Sequence, residues 1–127
     1  MKLKTIVVLG AMMLASVAYG QHKHGHEQTE KGPNGGLLTE AGDYHIELIA
    51  KAGDVEINVM DHDNKPMPTK DFKGLAILSA GGKSVRIVLS PADAAKLTGK
   101  AESPLPAQPK GVVQITPPNG KSVQAKF

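Results

Sequence analysis

From Leu37 to the end of the chain, short apolar runs alternate with glycine-, proline- and aspartate-bearing turns. Recurring at intervals of about eight to twelve residues, they have the spacing of an all-β sandwich or barrel. Alternation is strictest in Tyr44–Ala50 and Val55–Asp61. Tyr44, Ile46, Leu48 and Ala50 share one face of the first run, and Val55, Ile57 and Val59 share one face of the second. Joined through Lys51-Ala52-Gly53-Asp54, the runs pair Ala50 with Val55, Leu48 with Ile57 and Ile46 with Val59. A slip of one residue would bury Glu56 and Asn58, so the parity of the register is fixed. A second hairpin joins Leu75–Ala80 to Lys83–Leu89 through Gly81-Gly82, a pair suited to the positive φ angles of a tight turn. It sets Leu78 against Val85 and Ala76 against Ile87.

The remaining segments follow from turn chemistry. Asp63–Pro68 reads as a loop. Ser90–Leu97 predicts one or two helical turns, capped by Ser90 with Pro91 behind it and stopped near Gly99. Ser103–Pro109 carries three prolines and is expected to be extended. Val112–Thr116 and Ser122–Phe127 are the last strands, and Leu37–Glu40 supplies a short first one. The pattern therefore predicts an all-β domain over residues 37–127, an Ig-like or Greek-key β-sandwich of about seven strands, with a partly open barrel as the second choice. Its expected core is Ile46, Leu48, Ile57, Val59, Ala76, Leu78, Val85, Ile87 and Leu89.

Upstream of that domain the pattern changes twice. Residues 21–36 (QHKHGHEQTEKGPNGG) have no apolar periodicity and predict a flexible, histidine-rich tail. Residues 1–20 combine Lys2 and Lys4 with an apolar run from Ile6 to Ala15 and small residues behind it. This is the order of a cleavable secretory signal, and the run is shorter than the ~20 residues that span a bilayer. Cleavage is expected after Gly20, or after Ala18. A periplasmic or secreted location follows, with no membrane insertion after cleavage.

Composition narrows the function. Without Lys2 and Lys4 the chain holds thirteen basic against twelve acidic residues, and no basic stripe with interleaved aromatics argues for nucleic acid. No cysteine is present among the 127 residues, which excludes disulfides, thiolate metal sites and a cysteine nucleophile. No nucleophile elbow, zinc-protease helix or phosphate-binding loop appears, so an enzyme is not expected.

Histidine carries the chemistry. His22, His24 and His26 alternate along the tail, where imidazoles can wrap copper, zinc, nickel or cobalt ions. In the first hairpin the register places His45 opposite Met60 and Glu47 opposite Asn58 on the face turned away from the core. His62 lies diagonal to His45, within ~7–8 Å. His45, Met60 and His62 can thus converge, with Glu47 completing the set or orienting a histidine. Imidazole with thioether suits Cu⁺ or Ag⁺, and imidazole with carboxylate suits Zn²⁺ or Co²⁺.

The same region carries a resemblance. Pro33-Asn34-Gly35-Gly36, then Gly42-Asp43-Tyr44-His45-Ile46-Glu47-Leu48, then Asp61-His62-Asp63-Asn64-Lys65-Pro66 resemble a β segment of the periplasmic adaptor subunits of heavy-metal efflux pumps and of small secreted proteins associated with them. Tyr44 and Glu47 match that pattern, whereas Asn34 stands where the pattern has histidine. The long helical hairpin and lipoyl-like domain of a full adaptor are missing from this sequence. The resemblance implies a role in metal homeostasis and a metal-efflux adaptor or other envelope protein as partner. The expected function is non-enzymatic binding or buffering of transition-metal ions, accessory to heavy-metal efflux. The alternative is a structural or interaction module of the cell envelope with no specific metal site.

Overall fold

The structure, a computed structural model, describes residues 29–127. The expected signal segment and the tail histidines His22, His24 and His26 lie outside the described residues. Nine strands follow one another: β1 (Glu30–Lys31), β2 (Leu37–Ala41), β3 (Tyr44–Lys51), β4 (Asp54–Met60), β5 (Lys73–Ala80), β6 (Lys83–Ala92), β7 (Lys96–Lys100), β8 (Gly111–Thr116) and β9 (Val123–Lys126). The fold is all-β, and no helix occurs among the described residues. Every pairing is antiparallel, in the order β1-β2-β3-β4-β7-β6-β5-β8-β9.

Both predicted hairpins have the expected register. Ala50, Leu48, Ile46, His45 and Glu47 lie opposite Val55, Ile57, Val59, Met60 and Asn58. Leu78 and Ala76 lie opposite Val85 and Ile87. Gly81 and Gly82 take φ values of 57° and 80°, the double left-handed turn that follows the strand twist. The first turn is tighter than the expected four-residue loop, because Lys51 pairs with Asp54 and only Ala52 and Gly53 remain between them. The carbonyls of Ala52 and Gly53 accept from the Leu105 and Ala101 amides. That clasp holds Ala52 at a φ of 52°, a conformation costly for a residue with a Cβ.

The long strand β6 ties the sheet together. Up to Leu89 it pairs with β5, and from Ser90 to Ala92 with β7. The sheet curls, so that Gly42 at the β2–β3 turn lies against Val123 of β9. One apolar core results, with Ile46, Leu48, Ile57 and Leu97 contributed by one half and Ala76, Leu78, Ile87, Val113 and Ile115 by the other. The predicted core is buried, except that Val85 is only half-buried.

Two expectations are corrected. Among the described residues the strand count is nine instead of about seven, the additions being β1 and β7. Ser90–Leu97 forms no helical turn: Pro91 continues β6, Asp93 opens a turn at a φ of 53°, and Leu97 pairs across to Pro91. Beyond Leu89 the strand has β7 as its single neighbour, an edge position that can hold a proline, and the extended form carries Leu97 into the core at 0% exposure. Ahead of Leu37 the chain is already paired to the sheet. Glu30 and Lys31 pair with Leu38 and Leu37, and residues 32–36 form a turn closed by the Gly32 amide donating to the Gly36 carbonyl.

Candidate functional site

The 32–36 turn explains the part of the sequence that looked most like a motif. It lies over the outer side of β3, where the Glu47 carboxylate is wholly buried. Glu47 Oε2 accepts from the backbone amides of Asn34 and Gly36, both at 2.9 Å, and Oε1 accepts from the Asn34 side-chain amide at 2.7 Å. A Cβ on Gly32 would lie 2.2 Å from the Glu47 carboxylate, so the turn needs glycine there. Glu47 is thus an anchor: its oxygens are filled by the loop and do not face His45 as ligands. The Pro33-Asn34-Gly35-Gly36 stretch and Glu47 form one unit, in which Asn34 supplies two of the donors.

Met60 is buried as well, at 2% exposure. It sits opposite His45, bridges to Pro66 on its other side, and lines with Asn34, Asn58, Pro66, Asp93 and Lys96 a hollow of about 320 Å³. The outer face of the first hairpin is therefore covered here, contrary to the expectation of open strand surface.

His45 and His62 do meet. Their rings pack edge to face with centroids 5.5 Å apart. Two neighbours not foreseen from the sequence hold His45 between them. Asn64 Oδ1 lies 2.7 Å from Nδ1, and Glu40 Oε1 lies 3.3 Å from Nε2. Strand pairing places Glu40 directly opposite His45, a signal legible only once β2 and β3 are paired. Asn64 reaches the ring because the 61–65 turn folds back, with Asn64 at a φ of 58°, tolerable for a short amide side chain.

Asp61 builds that turn. Its Oδ1 accepts from the amides of Asp63 and Lys65, both at 2.9 Å, while its own amide donates to the Lys65 carbonyl. The Lys65 amide holds the Asp61 carboxyl below the usual aspartate range; partial desolvation opposes this, and the Asp63 amide and the charges of Lys65 and His62 add to it. The turn thereby fixes His62 beside His45.

The chemistry of His45 follows from its two neighbours. The tautomer follows the orientation of the Asn64 amide. With Nδ1–H donating to Asn64 Oδ1, the Nε2 lone pair is left for a cation; with the amide turned, Nδ1 accepts from it and Nε2–H donates to the Glu40 carboxylate. Among the described residues no group of three or more His, Asp or Glu side chains is placed so that it could hold a metal ion. Comparison with protein-family models, with curated proteins and with solved structures finds no match. The chemistry of the site accordingly rests on these residues alone: two imidazoles in contact, with a carboxylate at one nitrogen of His45 and an amide at the other.

Proposed function

We propose that this is a non-enzymatic, exported protein that binds or buffers transition-metal ions, acting beside a heavy-metal efflux system. Its curled sheet stands in for the two layers of an Ig-like or Greek-key domain. One observation carries the reading: the rings of His45 and His62 touch, and the Glu40 carboxylate lies 3.3 Å from His45 Nε2. His45, His62 and Glu40 supply the donors, which would have to close further around an ion, and Met60 lies at the adjoining register position; Glu47 supports the site by holding the 32–36 turn. The tail contributes His22, His24 and His26. Copper, zinc, nickel and cobalt all suit imidazole donors.

Calorimetric titration with each of these ions tests the reading. His45→Ala and His62→Ala are each expected to lower affinity at least tenfold, and replacing the three tail histidines removes a separate, weaker class of sites. Affinity falls with pH, because a protonated imidazole has no lone pair to give. Binding no tighter than that of a peptide of residues 21–30 would overturn it. A second reading, an interaction module of the cell envelope, is favoured by one specific observation: the exposed Ile77 and Val88 side chains on the opposite half of the molecule.

A further inference from the structure

Charge is divided unequally between the two halves of the sheet. All twelve acidic residues lie outside the segments 73–92 and 110–127, which supply β5, β6, β8 and β9. Those segments carry Lys73, Lys83, Arg86, Lys110, Lys121 and Lys126, all exposed. The contact of His45 with Glu40 and the ion pairs of Lys96 with Glu56 and Lys100 with Asp54, among the described residues, belong to the other half. The register then sets these cations at three levels. Lys110 stands at the Gly81-Gly82 end, where the Ser79 amide donates to its carbonyl; Lys83, opposite Ala80, starts β6 on the core-side parity beside the turn. Arg86 and Lys126 occupy the two ends of a row that runs Arg86, Ile77, Val112, Lys126 across four strands. Lys73 lies at the far end, where it pairs with Thr116 ahead of the β8–β9 turn that carries Lys121.

Inside this frame runs an aliphatic strip. Ile77 and Val88 are 44% and 63% exposed, the exposed large hydrophobics of the described residues, and Leu75 and Val112 flank them through the same register. The remaining outward positions are uncharged hydrogen-bonding groups: Ser79, Ser84, Ser90, Gln114, Thr116 and Gln124.

We propose that this face, which carries no acidic side chain, docks on an anionic lipid surface. Arg86 and Lys126 are separated by three strand spacings, ~14 Å, and the end levels by the length of β5, ~25 Å. Cations that far apart cannot converge on one small anion. A protein partner would need carboxylates placed to match the whole array, whereas a lipid surface offers mobile phosphate charge at every position. The aliphatic strip adds apolar contact, and the hydroxyls and amides donate to phosphate oxygens. This inference uses none of the histidines and stands whether or not they bind metal.

The test is co-sedimentation of the exported protein with phosphatidylcholine vesicles, with and without a third of phosphatidylglycerol. Retention is expected only with the anionic lipid, and it should collapse in 1 M salt, where the Debye length is about 3 Å. Arg86→Glu with Lys126→Glu should lower it at least tenfold without moving the melting temperature, since both side chains are exposed. Lys51→Glu with Lys65→Glu makes the same change in net charge on the other half and should leave retention nearly intact. Equal loss in the two double variants, equal retention without anionic lipid, or no retention overturns the proposal. Concentration-dependent self-association abolished by Arg86→Glu would also overturn it, by assigning the face to a second copy of the chain.

Discussion

The two hairpins β3–β4 and β5–β6 are built on the same alternating plan and are buried differently. Along β5 and β6 the pattern is kept: Ala76, Leu78, Ile87 and Leu89 are inside while Ile77, Ser79, Arg86 and Val88 are outside. Along β3 and β4 both faces are covered, with Ile46, Leu48, Ile57 and Val59 on the core side and Glu47, Asn58 and Met60 on the other. The 32–36 turn makes the difference. It brings backbone amides that need an acceptor, and Glu47 supplies one. A two-sided strand in this protein thus marks where a loop is docked by a polar anchor, and a one-sided strand marks the face left for solvent or a partner.

The comparison can be broken first at its common element. Because the halves share one core, Leu48→Ala and Leu78→Ala should each cost about 3 kcal/mol, through lost transfer energy and the cavity left behind. Denaturant unfolding with a single transition for both variants checks this. Two transitions would mean that the halves are independent.

Next comes the contrast itself. Glu47→Leu keeps much of the side-chain volume but removes both oxygens, so the amides of Asn34 and Gly36 lose their acceptor. A loss of about 2–3 kcal/mol is expected. Arg86→Ala, at an outward position of the second hairpin, should change stability by less than about 0.5 kcal/mol. The same unfolding experiment separates them, and similar costs would remove the distinction drawn between the hairpins.

The turns sharpen the comparison at smaller scale. Gly82→Ala places a Cβ at a φ of 80° and should cost about 1–2 kcal/mol. Ala52→Gly relieves the same penalty in the first hairpin and, after the added freedom of the unfolded chain, should raise stability by about 0.5–1 kcal/mol. The opposite signs are read from thermal unfolding.

Acid sets the last and smallest test. The Asp61 carboxyl is held below its ordinary value in the folded protein by the Lys65 amide. Its contribution is therefore complete above the unfolded aspartate range and is lost as pH falls through the folded value. Protection of the Asp63 and Lys65 amides, relative to their intrinsic exchange at each pH, should fall in that window, while protection at Gly81 and Gly82, whose half contains no carboxylate side chain, stays flat.

Much of the local structure was legible in the sequence, for physical reasons that also show where legibility stopped. Period two and turn chemistry sufficed for the registers, since a one-residue slip in β3–β4 would have buried Glu56. The contact of His45 with His62 followed from that register. The burial of Met60 and Glu47 did not, because it depends on a loop thirteen residues away from Glu47 in sequence. Glu40 became visible as a partner only through the β2–β3 pairing. Ser90-Pro91 carries the signature of a helix start, and what overrides it is tertiary: Leu97 gains full burial as part of a strand between β4 and β6.

That central place of β7 bears on how the chain finds its fold. The β2–β3–β4 meander and the β5–β6–β7 run are each closed by short connections and can form early. They are joined by the β4–β7 ladder, which pairs Asn58 with Lys96 and Asp54 with Lys100 across some forty residues. Closing so long a loop loses chain entropy before any contact compensates, which places this fold among the slower small proteins, at milliseconds to seconds. Until β7 docks, β4 has an open edge and the core lacks Leu97. The strand that closes the sheet also ends the period in which the nascent protein can pair with its neighbours.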